Sequence, residues 1–143
     1  MNIILVGAII GLLTVVVMFF LKEQRYNKLL REIKEPIEYS GLYHYASFKR
    51  FRNATKFYDS YGLLYVSGHM LYYKTKEGAP PMTFNLQECS VQMEPDWRWL
   101  KWFSVTTPAG EKHYFDSHKM GMFKNNSDET LKGYEVIKSK TRS

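Results

Sequence analysis

The sequence predicts an N-terminal transmembrane α-helix followed by one α+β domain, a small antiparallel β-barrel or sandwich closed by a C-terminal helix. Three observations predict it. Residues 2–21 carry no charge. From residue 37 the apolar spacing turns to the strand type, with turn residues punctuating it. A helical stripe returns only near the end, after Asp128. These divide the chain into an anchor (1–21), a juxtamembrane amphipathic helix (22–36) and a folded domain (37–143).

Asn2 to Leu21 is built almost wholly of Ile, Leu, Val, Phe, Gly and Ala. At 1.5 Å per residue, about 20 helical residues cross the ~30 Å hydrocarbon core of a bilayer. A backbone in lipid satisfies its own hydrogen bonds, which selects the helix. A cleavable signal peptide is the rival reading. It requires a basic n-region, a shorter apolar core and a small-residue cleavage site. Met1-Asn2 supplies no such n-region, and the run ends Met18-Phe19-Phe20-Leu21. An uncleaved single-pass anchor is therefore expected. Lys22, Arg25, Lys28, Arg31 and Lys34 follow the span, whereas nothing basic but the α-amino group precedes it. The positive-inside bias then places the N-terminus outside and the domain in the cytoplasm. The inverted orientation stands as the alternative. Gly7 and Gly11 form a small-xxx-small motif, which permits a homodimer through the membrane helix.

Between Lys22 and Glu35 no breaker interrupts the helix, and Tyr26, Leu29, Leu30 and Ile33 share one stripe. The helix is expected to run on to Pro36, because a residue preceding proline is pushed out of the α region. Its stripe packs on protein or lies along the headgroups with its bases snorkelling.

In the domain, Gly41–Arg52 is the first strand candidate. Tyr61–Val66 and His69–Lys74 flank Ser67-Gly68, a two-residue connection suited to a hairpin. Thr83–Leu86 and Cys89–Met93 follow the Pro80-Pro81 break. Trp99–Thr106 and Lys112–Asp116 flank Thr107–Glu111, a second hairpin signal. Ser127-Asp128 is placed to cap a helix from Glu129 to Lys140, with Leu131, Tyr134, Val136 and Ile137 as its buried face.

Net charge is +6, spread along the chain rather than concentrated. That pattern argues against a nucleic-acid partner and favours attraction to an anionic membrane surface. The single cysteine, Cys89, forms no internal disulfide and reads as a small buried hydrophobe. No phosphate-cradling glycine loop, nucleophile elbow, metal-ligand cluster or carboxylate pair stands out. His113 and His118 flank Asp116, but strand alternation sets His113 opposite Asp116, and no further ligands follow at metal spacing. The expectation is a non-enzymatic protein without cofactor or metal.

Two clusters carry binding chemistry. Lys49, Arg50 and Arg52 with Lys56 form the densest basic patch, with no acid among residues 39–58. Guanidinium and ammonium groups converging there suit phosphate oxygens, whether by specific headgroup binding or general attraction to anionic lipid. A charge-protected strand edge gives the same pattern. Trp97, Arg98, Trp99, Lys101 and Trp102 form the second cluster. Alternation divides it into Trp97, Trp99 and Lys101 against Arg98, Leu100 and Trp102. Core packing, partner contact and interfacial membrane contact are all open to it.

Six or seven short strands and a closing helix in about 100 residues resemble the pleckstrin-homology-like superfold, including GRAM domains. Tyr61–Lys74, with its Leu71-Tyr72-Tyr73, looks like that family's strand pair. Phe84–Val91 looks like its following x-L-x-x-C-x-V strand, and Phe103–Asp116 is similar to its F-x-I-x-T…Y-x-F hairpin. Tyr134 stands where the family usually carries a helical tryptophan, and Lys119–Asn126 is an extra stretch. The resemblance implies a binding module. It implies headgroup contacts at Lys49, Arg50 and Arg52, which match the family's basic pattern at the first strand and its loop. With an anchor already present, the resulting expectation is an adaptor or assembly subunit of a membrane complex. Anionic-lipid recognition is the alternative.

Overall fold

The computed structural model describes residues 2–48, 58–95, 101–117 and 126–141. The chain divides into two compact units, residues 1–34 and 35–143.

The first unit is helix α1, Ile3–Arg31. Asn2 caps it, its side-chain oxygen accepting the Ile4 N–H at 3.1 Å, and so satisfies one orphan donor of the first turn. Thr14 donates its hydroxyl to the Ile10 carbonyl at 2.8 Å, which hides the one polar side chain of the apolar run within the helix itself. The most apolar 18-residue window has a mean hydropathy of 3.0, and none of it is buried inside the protein. The helix is long and apolar enough to cross a membrane. At 1.5 Å per residue it extends about 43 Å, more than the ~30 Å hydrocarbon core. It stops at Arg31 rather than continuing to Pro36, and the Ile33 N–H closes on the Leu30 carbonyl at 3.1 Å as the last turn tightens.

The second unit is a seven-stranded antiparallel sheet and one helix. The strands are β1 (Tyr39–Ser47), β2 (Ser60–Ser67), β3 (Met70–Lys74), β4 (Met82–Asn85), β5 (Ser90–Met93), β6 (Phe103–Thr106) and β7 (Lys112–Ser117), followed by α2 (Asn126–Ser139). Their spatial order is β4-β3-β2-β1-β7-β6-β5. A meander of four strands and a meander of three are thus joined by pairing of the first strand with the last. The β2–β3 hairpin turns at Gly68-His69, one residue later than expected, because Ser67 is still paired with Met70.

The sheet curls strongly. Three strands separate β4 from β7, which in a flat sheet would set them about 19 Å apart. Yet the Phe84 ring on β4 lies 6.2 Å from Phe115 and 5.0 Å from His113, both on β7. The enclosed core holds alternate residues of every strand. Tyr43, Leu64, Leu71, Phe84, Phe103 and Phe115 are all buried within it. Aromatic edges fill it, with Tyr43 against Phe103 at 6.0 Å and Tyr73 against Phe115 at 5.4 Å.

Helix α2 packs on β1, β5 and β7. Ile137 is its deepest apolar side chain, and Tyr134 and Val136 pack partly against the core. Leu131 does not: it is 39 % exposed. The buried places are taken by Thr130, whose hydroxyl accepts the Ser117 N–H at 2.9 Å, and by Gly133. A Cβ on Gly133 would collide with the Tyr43 hydroxyl. Glycine at that point lets the helix approach β1. The helix begins at Asn126, so Asp128 lies inside its first turn beside Glu129 instead of capping it. There it meets the positive end of the helix dipole.

Candidate functional site

Two surfaces of the domain offer recognition chemistry. One is the outer edge of β5. The other is a groove where the end of β1 meets the β6–β7 turn.

The edge follows from register. The Glu94 N–H bonds the Trp102 carbonyl at 3.0 Å, so Glu94 and Trp102 form a hydrogen-bonded pair. In an antiparallel ladder such pairs alternate with pairs whose backbone groups point away. Gln92 with Ser104 and Ser90 with Thr106 are therefore hydrogen-bonded pairs, and Val91 with Val105 and Met93 with Phe103 are not. The N–H and C=O groups of Val91 and Met93 consequently point outward, where no described strand pairs with β5. Helix α2 lies alongside, and Lys138 sends its ammonium to the Val91 carbonyl at 3.2 Å. A cation on an edge carbonyl protects the edge without covering it with another strand.

The outer face of the same strands is polar and fully wired. Glu94 Oε1 accepts from Ser104 Oγ at 2.7 Å and from Gln92 Nε2 at 2.9 Å, and Lys112 Nζ lies 3.6 Å away. Burial works to raise the Glu94 carboxyl, but these donors outweigh it and hold the group below its ordinary range.

The groove has a volume of about 610 Å³ and is lined by Tyr45, Ser47, Phe48, Gly110, Glu111, Lys112 and His113. Its shape comes from a tight connection between β6 and β7. The Gly110 N–H bonds the Thr107 carbonyl at 2.9 Å, and the Thr107 N–H bonds the Glu111 carbonyl at 2.9 Å. Gly110 adopts φ +89°, open to glycine and strained for other residues. The turn thus carries Glu111 to the rim. In the floor, Tyr45 and His113 stack with centroids 5.6 Å apart, and the Tyr45 hydroxyl lies 2.6 Å from His113 Nδ1. His113 Nε2 lies 3.7 Å from Glu111. Burial pushes the imidazole down, against the pull of Glu111, so His113 is neutral at pH 7. Burial raises the Tyr45 hydroxyl, and the Asp59 and Glu111 carboxylates raise it further.

Two buried polar clusters sit behind these surfaces. Tyr39 donates to Glu129 Oε1 at 3.0 Å, Tyr43 donates to the Glu129 carbonyl at 3.1 Å, and the two hydroxyls lie 2.7 Å apart. Burial raises both phenols far above their ordinary value. On the opposite face, His44 pairs with Asp116. The alternation of β7 separates His113, half-buried beside Phe84, from Asp116, which faces His44.

The basic patch of Lys49, Arg50, Arg52 and Lys56 lies outside the described residues, as do Trp97, Arg98 and Trp99. Lys101 is half-buried. Trp102 is wholly buried against Ala46 and Tyr114, so it packs the outer face of the sheet and presents no ring to a partner. On α1, nothing lies within 4 Å of a Cβ built on Gly7 or Gly11, so that face of the helix is open. Cys89 is half-buried against the core, and burial raises its thiol. Register-dependent features escaped the sequence reading: the outward groups of Val91 and Met93, and the meeting of Tyr45 with His113 across β1 and β7. Neither the protein-family models nor the curated proteins compared with this chain match it.

Proposed function

We propose that this chain is a membrane-anchored, non-enzymatic adaptor in which a pleckstrin-homology-like domain recognises a protein partner of a membrane complex from the cytoplasmic side. The strand order, with β1 joining a four-strand and a three-strand meander beside one C-terminal helix, supports the family assignment. The observation that carries the adaptor reading is the β5 edge. Met93 turns its backbone N–H and C=O outward and Val91 its N–H, the Val91 carbonyl being held by Lys138 from α2, and an extended partner segment that displaces that ammonium can add there as a further strand. A tethered domain needs no lipid affinity for recruitment, which favours protein over lipid as its ligand.

A second reading rests on Phe48. It is 74 % exposed at the end of β1, and Lys49-Arg50-Phe51-Arg52 follows directly in the sequence. An exposed aromatic beside bases is the composition of an interfacial anionic-lipid contact. Tethering raises the effective lipid concentration, so weak affinity suffices.

Affinity capture of the full-length chain, crosslinked in its own membrane and compared with Arg50→Ala/Arg52→Ala, separates the two. A stoichiometric membrane partner retained by the double variant supports the adaptor. Absence of any partner, together with salt-sensitive binding to anionic vesicles that the double variant loses, transfers the role to lipid recognition.

A further inference from the structure

Helix α2 holds an acceptor of the β5 edge, and the helix itself is held mostly by polar contacts. Among its described residues Ile137 is the one apolar side chain wholly buried. Tyr134 and Val136 are half-buried, and Leu131 is 39 % exposed. The other attachments are hydrogen bonds and an ion pair, gathered at the two ends. Near the start of the helix, Glu129 accepts from Tyr39 at 3.0 Å and from Tyr43 at 3.1 Å, and Thr130 accepts the Ser117 N–H at 2.9 Å. Near its end, Lys138 holds the Val91 carbonyl at 3.2 Å and Lys140 pairs with Glu38. Lys138 is exposed, so water competes for that hydrogen bond and its net contribution is small. The seven strands, by contrast, pair with one another without α2. Few buried apolar contacts and exposed hydrogen bonds mark the elements that open before the rest of a fold.

We propose that α2 is a latch on the β5 edge: it lifts as one unit while the sheet stays folded, and its lifting frees the Val91 carbonyl for the partner strand. A hydrogen-bonded antiparallel pair exchanges both backbone groups of each residue. Met93 offers both at once, whereas Val91 offers only its N–H while Lys138 is in place. The latched edge therefore admits a strand at Met93 and stops it at Val91. That guards the edge against chance strand addition, and the affinity of the partner carries the cost of lifting. The motion is concerted because Lys138 and Glu129 lie at opposite ends of one 14-residue helix. The C-terminal end does not swing clear while Ile137 is seated and the two tyrosines grip Glu129. The inference rests on the reading of β5 as the partner edge and supplies the regulation of that edge.

The test is amide hydrogen exchange of the full chain in nanodiscs of phosphatidylethanolamine and phosphatidylglycerol, read residue by residue. The expected result is one common rate for the amides of Gly133, Tyr134, Ile137 and Lys138, roughly tenfold faster than those of β1 and β2. Lys138→Met keeps the stem and removes the donor. It speeds the whole set roughly fivefold, the worth of one hydrogen bond, leaves the sheet amides unchanged and raises crosslinked partner capture severalfold. Exchange graded inward from Ser139, as in end fraying, overturns the proposal. So does an effect of Lys138→Met confined to the last turn, or partner capture that this variant leaves unchanged or lowers. Partner capture by the wild-type chain with α2 opening only together with the sheet overturns the latch and leaves the adaptor reading intact. Common opening of α2, speeded by Lys138→Met, without any captured partner supports the latch and removes the adaptor reading.

Discussion

His44 and Asp116 face each other across the β1–β7 ladder, with Nδ1 3.1 Å from Oδ1 and both side chains almost wholly out of water. Burial raises the Asp116 carboxyl above its ordinary value of 3.8, and His44 pulls it back down. Among the described residues Asp116 Oδ2 has no hydrogen-bond partner, and the imidazole is the group there that steadies the buried acid. An acid raised on folding favours the folded state at low pH and loses that contribution as pH climbs through the shifted value. His44→Ala removes the restoring influence and leaves the raising one. Its destabilisation, about 1–3 kcal/mol for a stranded buried polar group, is expected to grow from pH 4 to pH 7 in chemical denaturation.

Glu94 has the opposite sign. Held below the ordinary 4.5 by Gln92, Ser104 and Lys112 against the pull of burial, it contributes stability above that value and loses it as pH falls through the lowered one. Glu94→Gln is expected to cost about 1 kcal/mol at pH 7, the typical net worth of a hydrogen bond. It is also expected to flatten the acid limb of the stability profile below pH 4.5. Denaturation curves at stepped pH read both effects.

Gly133 and Tyr43 oppose intrinsic helix propensity. Alanine in place of a helical glycine ordinarily gains about 1 kcal/mol. Here its Cβ would strike the hydroxyl of a wholly buried tyrosine that is bonded to Tyr39 and to the Glu129 carbonyl. Overpacking costs about 1–3 kcal/mol, so Gly133→Ala is expected to destabilise. In a double-mutant cycle, Tyr43→Phe removes the struck atom and recovers part of the loss. Additive effects in that cycle would contradict the close approach.

Trp102 is a packing residue. Trp102→Ala is expected to cost about 3–5 kcal/mol, whereas Lys101→Ala, half-buried beside it, changes stability by less than about 0.5 kcal/mol. Thermal melts of the two variants check the contrast.

Membrane orientation has its own readout. A C-terminal tag is expected to be shielded from protease added outside intact cells. Replacing Lys22, Arg25, Lys28, Arg31 and Lys34 with glutamine while adding lysines before Ile3 is expected to expose it, because the basic bias across the span sets orientation.

Helix α1 was legible because a charge-free run of this length has few other uses, and the strands because Tyr, Phe and Val alternate between turn residues. The boundaries moved where pairing decides them: Ser67 stays in β2 because Met70 pairs with it. On α2, periodicity picked out Ile137 and Tyr134 but placed Leu131 inward, because helical phase does not say which turn meets a neighbour. The close approach is at Gly133, a residue with no hydrophobic signal. The candidate surfaces were the least legible part. The outward groups of Val91 and Met93 depend on a register fixed by Glu94 and Trp102. The groove exists only once β1 and β7 bring Tyr45 to His113. The tryptophan-rich run from Trp97 to Trp102 drew attention through composition, yet its one described tryptophan, Trp102, supports the sheet.

The central claim is that a partner adds to the β5 edge, and Met93→Pro tests it most directly. The Met93 N–H points away from β6, so proline there removes an outward donor while leaving the ladder bonds intact. The measurement is quantitative crosslinked capture from the membrane by the full-length Met93→Pro chain against wild type, with circular dichroism confirming an unchanged sheet. The account predicts that the variant loses the wild-type partner while Arg50→Ala/Arg52→Ala retains it. Undiminished capture by a folded Met93→Pro chain would contradict it.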